Sequence, residues 1–150
     1  MKIYVLKEKE FSTEQAIKKC LKKDVEISRN EFGKPIISSD IFVGVTHTSG
    51  LIFIGVWDKN FGIDAEHSKR EVKNKDLIIS KYYSESEKNE KFLDVWVKKE
   101  AYLKFLGTGL KELRKADTSN LEFKKAIYKD YIMYIYSDFL IEEITIEELF

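Results

Sequence analysis

The sequence predicts a domain that mixes α-helices with antiparallel strands, and three observations carry this. Two apolar stretches, Leu51–Trp57 and Phe61–Glu66, flank an Asp58-Lys59-Asn60 turn, which is the pattern of a hairpin. Ser12 with Gln15, and Ser84 with Glu87, have the spacing of capping boxes, which open helices. Tyr131 to Tyr136 alternates aromatic and aliphatic residues, as a half-buried strand does. A chain of 150 residues is about one domain and is long enough to bury a core.

Composition excludes several classes. Hydrophobic residues make up 43% and charged residues 35%, the balance of a globular chain. The 26 basic and 26 acidic residues cancel, so net charge argues for neither a nucleic-acid nor a membrane partner. Cys20 is the single cysteine, which rules out an internal disulfide and a cysteine-rich metal site. Met1–Glu10 is charged and lacks the apolar core of a signal peptide, and no apolar run approaches ~18 residues. The expectation is a cytoplasmic protein.

In chain order, Lys2–Leu6 reads as a short strand, followed by the helix from Ser12 with Ala16, Ile17, Cys20 and Leu21 on its buried face. Arg29–Pro35 breaks the regularity: Gly33 permits a tight turn, and Pro35, the only proline, fixes the backbone beyond it. Lys34 between them is either a surface-turn lysine or a point charge for a phosphate. Ile41–Val45 is a strand running into Thr46-His47-Thr48-Ser49-Gly50, where hydroxyls surround a histidine suited to an anion. His67–Lys75 is a polar loop and Asp76–Tyr83 a short helix. The longest helix spans about Ser86 to Leu106 and ends at Gly107-Thr108-Gly109. Asn120–Phe123, Lys125–Tyr128 and Tyr131–Tyr136 are expected strands, Ile141–Ile146 an edge strand, and Glu147–Phe150 a fraying end.

Three carboxylates stand out. Asp64 and Glu66 fall on one face of their strand by its period of two, and side by side they repel unless water or a cation separates them. This is either a wet strand face or a site for a hard divalent cation. Glu100 lies in the stripe of the long helix with Phe92, Trp96, Leu103 and Leu106, where a carboxylate needs a partner. Lys104, one turn on, is one candidate partner; a metal shared with Asp64 is the other.

Taken together these segments resemble a known family. Gly62-Ile63-Asp64-Ala65-Glu66 followed by Trp96-Val97-Lys98-Lys99-Glu100-Ala101-Tyr102-Leu103-Lys104 resembles the two signature motifs of the 4′-phosphopantetheinyl transferases. Gly33-Lys34-Pro35 and Thr46-His47-Thr48-Ser49-Gly50 look like two further motifs of the surfactin-synthetase-activating type. Tyr82–Glu87 and Gly107–Leu110 resemble the segments that flank the long helix, and the resemblance runs from about Ile27 to the C-terminus. Thr46 and Thr48 stand where the family usually has serines, Ala65 replaces a branched aliphatic, Thr108 replaces a common lysine, and the region before Gly33 is shortened.

The resemblance implies an α+β fold of two related lobes, each a helix on antiparallel sheet. A reduced first lobe is expected over about residues 1–57, the second over about 58–150, with the site between them. It implies transfer of phosphopantetheine from coenzyme A to a serine of an apo acyl, peptidyl or polyketide carrier protein. Asp64, Glu66 and Glu100 would hold Mg²⁺. His47, Lys34 and Thr46 would contact coenzyme A. Lys99 and Lys104 would neutralise the attacked phosphate, and Glu100 or a metal-bound water would take the serine proton. Lys111, Arg114 and Lys115 would help dock an acidic carrier. A monomer is expected, with a homotrimer as the alternative. Another Mg²⁺-dependent phosphodiester enzyme, such as a nuclease, and a non-catalytic carrier-binding module are the competing readings.

Overall fold

The computed structural model describes residues 1–109 and 114–150. Its elements in order are β1 (Lys2–Lys7), α1 (Thr13–Leu21), β2 (Ile27–Arg29), β3 (Pro35–Ile37), β4 (Phe42–Thr48), β5 (Leu51–Trp57), β6 (Gly62–His67), α2 (Lys75–Tyr82), α3 (Phe92–Leu106), β7 (Lys124–Tyr128), β8 (Tyr131–Tyr136) and β9 (Thr145–Glu148). This is an α+β fold in four layers. α1 covers one face of a sheet ordered β4-β5-β1-β9, and the other face of that sheet meets a second sheet ordered β6-β8-β7. α3 lies on the outside of the second sheet, against β6 and β8.

Local chemistry explains the first layer pair. Ser12 caps α1 as its sequence predicts: its hydroxyl accepts from Gln15 N at 3.2 Å while Gln15 Oε1 accepts from Ser12 N at 2.9 Å. Ala16, Ile17 and Cys20 then bury against Tyr4, Leu6, Ile52 and Ile54. Burial pushes the Cys20 thiol up to about 12, so it is a packing residue and not a nucleophile at neutral pH.

The predicted hairpin does not form where the sequence places it. β5 pairs antiparallel with β4 through a two-residue Ser49-Gly50 turn, and with β1 on its other edge. Both turn residues have positive φ, 48° and 82°, which closes the turn with the twist of the strands. With both edges of β5 satisfied, β6 cannot pair with β5. The chain instead crosses over at Asp58–Asn60, and β6 pairs with β8 in the second sheet. Phe61 makes this crossover fit: it lies over the two glycines Gly44 and Gly55, where an added Cβ would fall 2.8 and 2.7 Å from its ring. Gly62 is pressed still closer to α3, with a hypothetical Cβ only 2.0 Å from Ala101 O.

Other boundaries move. Ser84 and Glu87 do make a reciprocal capping box, with Glu87 Oε1 accepting from Ser84 N at 2.9 Å and Ser84 Oγ accepting from Glu87 N at 3.2 Å. It opens only a 3₁₀ turn over Glu87–Asn89, and the long helix begins at Phe92. Pro35 starts β3, so the irregular segment is the tip of a small hairpin. Asn120–Phe123 is not a strand, and the terminal strand is Thr145–Glu148, held by parallel pairing to β1 in place of the expected frayed end. That strand returns the C-terminus to the first sheet, so the first lobe is not built from residues 1–57 alone.

Candidate active site

β6 is the strand around which the site forms. Ile63 and Ala65 enter the core between the sheets, which leaves Asp64 and Glu66 on the alternate positions. β4 stands beside β6 without pairing to it, and its own period of two matches. Thr46 Oγ1 donates to Asp64 Oδ1 at 2.9 Å, and Thr48 Oγ1 donates to Glu66 Oε1. Both threonines are buried, so their hydroxyls orient the two carboxylates. His47, between them, faces the other way, with Nε2 3.3 Å from Thr13 Oγ1 and Nδ1 3.2 Å from Glu8 Oε1. The hydroxyls and the histidine therefore do not form one cluster, although both belong to the edge strand.

Every carboxylate has a basic neighbour. Lys104 Nζ donates to Asp64 Oδ1 at 2.7 Å, reaching across from α3. Arg70, exposed on the loop after β6, donates to Glu66 Oε2, and His67 N adds a backbone bond of 3.0 Å to Glu66 Oε1. Glu100 pairs with Arg114 and not, as the i,i+4 spacing suggests, with Lys104. Arg114 Nε lies 3.1 Å from Glu100 Oε1, yet both atoms are buried without a hydrogen-bond partner. Burial raises the Glu100 carboxyl above its ordinary range; the Arg114 charge opposes this, and nearby Asp64 adds to it.

A cleft of about 290 Å³ runs between the edge strand β4, the β2–β3 hairpin and the C-terminal half of α3. Among the described residues, Arg29, Lys34, His47, Lys104 and Arg114 line it, with Glu100 as the one carboxylate. Lys34 is fixed firmly. The Asn30 side chain accepts from Lys34 N at 2.9 Å and donates to Gly107 O at 2.8 Å, tying the hairpin tip to the end of α3. Gly33 at φ 87° makes the turn. Lys34 Nζ then donates to Asn60 Oδ1 at 3.0 Å and Phe105 O at 3.3 Å, a cation at a helix C-terminus. Desolvation lowers its pKa.

Lys99 is placed elsewhere. It is buried on another face of α3, with Nζ 2.9 Å from Glu87 Oε1 and donating to Ala116 O at 2.6 Å. Burial alone would raise the Glu87 carboxyl, but bonds from Ser84 N, Thr118 Oγ1, Lys99 and Thr118 N together hold it below its ordinary range. Sequence reasoning missed this anchor, and it missed Arg29, Asn30, Asn60 and Arg70. For Asn30 the signal is visible in retrospect: an asparagine three before a glycine suits a side-chain-closed turn. Of the expected docking residues, Lys111 lies outside the described residues, Arg114 turns inward and Lys115 is exposed.

The donor set can be tested against a divalent cation. Among the described residues no three acidic, histidine or cysteine side chains group as a metal centre. Asp64 and Glu100 nevertheless fit one: both are hard oxygen donors near each other, and Glu100 Oε1 is buried without a hydrogen bond. Glu66 is engaged by Thr48, His67 N and Arg70, so it would join only after releasing the arginine.

Comparison with known proteins falls on this region. The family model of the 4′-phosphopantetheinyl transferase superfamily matches residues 60–130, which include β6, α3 and the acids they carry. The chain is similar to the 4′-phosphopantetheinyl transferase gsp of Aneurinibacillus migulanus, at 27% identity over 94 residues, covering 55% of this chain and 38% of that protein. The chain thus spans well under half the length of that curated relative. No helix among the described residues is long and apolar enough to cross a membrane. The α+β fold thus places along one wall of the cleft the segment, residues 60–130, that is similar to the 4′-phosphopantetheinyl transferase superfamily.

Proposed function

We propose that this chain transfers 4′-phosphopantetheine from coenzyme A to a serine of an apo carrier protein, releasing 3′,5′-ADP, in a Mg²⁺-dependent reaction in the cytoplasm. The observation that carries this reading is the cleft lined by five basic side chains and Glu100, with Asp64 held beside it by the lining residue Lys104. Such a cleft suits a polyphosphate whose charge must be neutralised while a hydroxyl attacks it.

Lys34 and His47, both lining the cleft, are assigned to the phosphates of coenzyme A. Thr46 acts indirectly, by orienting Asp64. Lys104 neutralises the attacked phosphate, since it already stands over Asp64 at the cleft wall. Glu100 accepts the serine proton; a carboxyl whose pKa is raised by burial is a better base at neutral pH than an ordinary one. Mg²⁺, when bound by Asp64 and Glu100 with Glu66 as the third ligand, would neutralise the pyrophosphate oxygens. Lys99 is left out of this set because its ammonium is committed to Glu87. The chain is assigned as a monomer with one site per chain; a stable trimer by light scattering would favour sites between chains.

The test is to mix the protein with Mg²⁺, coenzyme A and a panel of apo acyl, peptidyl and polyketide carriers, then weigh each carrier by mass spectrometry. At least one carrier gains a phosphopantetheine group, EDTA prevents it, and Asp64→Asn abolishes it. No gain on any carrier by a folded protein that binds coenzyme A would refute the reading.

A further inference from the structure

Arg114 is a lining residue of the cleft whose carboxylate partner is Glu100. Its Nε forms an ion pair with Glu100 Oε1 at 3.1 Å, and both atoms are buried without hydrogen-bond geometry to a described residue. A buried polar pair without good hydrogen-bond geometry calls for an explanation, and a bound ion or ligand is one. The guanidinium is held instead by the Trp96 ring, with Cζ 5.4 Å from the ring centroid. It lines the same cleft as Lys34 and Lys104. Unlike Lys104 it lies beyond the C-terminal end of α3 in the sequence. A planar fork that rests on an aromatic face and faces a cleft is built for two-pronged recognition of a phosphate.

We propose that Arg114 is a pyrophosphate-binding residue that rests on Glu100 and Trp96 in the free protein, and moves onto the ligand when a divalent cation takes Glu100. The inference rests on the proposed function for the identity of the ligand, but the assignment needs only a pyrophosphate group. The exchange is consistent in charge: the cation replaces the guanidinium beside Glu100, and the guanidinium gains phosphate oxygens it can bond with its fork. Lys104 and Arg70 differ in this respect, since both already donate to their carboxylates.

Trp96 supplies a readout independent of turnover. The protein has two tryptophans, so a Trp57→Phe background leaves Trp96 as the sole reporter. Titrating that protein with Mg²⁺ and inorganic pyrophosphate, then with Mg²⁺ and coenzyme A, is expected to give a saturable change in emission as the guanidinium leaves the ring. Arg114→Gln should abolish the change and weaken both ligands by roughly 10- to 100-fold, the scale of charge-assisted hydrogen bonds. Arg114→Lys should recover part of the affinity, because it keeps the charge without the fork. A purely structural role would lower the melting temperature and leave both affinities unchanged. If Arg114→Gln does not fold, the Arg114→Lys affinities and the emission change of the parent decide the matter. Unaltered affinity in the variants, or a silent Trp96 at saturation, overturns the assignment even where carrier modification proceeds. Pyrophosphate binding through Arg114 with no carrier ever modified would leave the assignment standing and refute the transferase reading.

Discussion

Replacing Lys99 with methionine separates two roles that the sequence motif leaves joined. In the fold Lys99 and Glu87 are a buried ion pair, with side chains 1% and 0% exposed. Removing one member of such a pair leaves an uncompensated charge and costs about 3–5 kcal/mol. Glu87 keeps its bonds from Ser84 N at 2.9 Å, Thr118 N at 3.1 Å and Thr118 Oγ1 at 2.5 Å, so the loss belongs near the low end. At about 2–4 °C per kcal/mol for a chain of this size, Lys99→Met should lower the melting temperature by roughly 6–12 °C. Urea unfolding followed by circular dichroism measures the free energy directly. Adding Glu87→Gln removes the stranded charge and should restore most of the loss, giving a strong coupling in the double-mutant cycle. The sign with pH is defined as well. The folded carboxyl of Glu87 lies below its ordinary 4.5, so its stabilisation is present above that pH and is lost as pH falls through the lower folded value. Glu87→Gln should flatten that acid limb. A Lys99→Met protein as stable as the parent but without turnover would refute this reasoning and put Lys99 at the phosphate.

The geometry fixes three further outcomes. Gly62→Ala puts a methyl 2.0 Å from Ala101 O and 2.3 Å from Phe105 N, both backbone, so β6 must shift from α3; destabilisation at or above the usual ~1–3 kcal/mol of overpacking is expected in urea unfolding. Lys34→Ala and His47→Ala should raise KM for coenzyme A more than they lower kcat, the pattern of lost uniform binding, and a pure kcat defect in steady-state kinetics would contradict it. Burial raises the Glu100 carboxyl, with Arg114 opposing and Asp64 and Lys104 facing it, so the neutral form stabilises the fold at low pH and that gain is lost as pH rises through the raised value. Glu100→Gln should therefore gain on the parent as pH increases above about 4.5 in metal-free thermal unfolding.

Much of the site is written in local patterns. The capping box at Ser12, the same-face spacing of Asp64 and Glu66, and the stiff turn that presents Lys34 depend on residues a few positions apart, and each appears in the structure as the sequence predicts. The separation of Lys99 from Lys104 follows from helix geometry as well. Turning about 100° per residue, a helix sets Lys99 about 140° from Lys104, so the two cannot share a face. Strand pairing was not legible, because an apolar strand does not declare which neighbours fill its edges. β5 takes β4 on one edge and β1 on the other, and only the arrival of β1 from the far end of the lobe forces β6 into the second sheet. The partner of Glu100 was likewise beyond local reach. Lys104 stands one turn away on the same helix, but the placement of β6 brings Asp64 under it, and the nearer opposite charge holds the lysine at 2.7 Å. Glu100 is then left to the guanidinium of Arg114, which lies beyond α3 in the sequence.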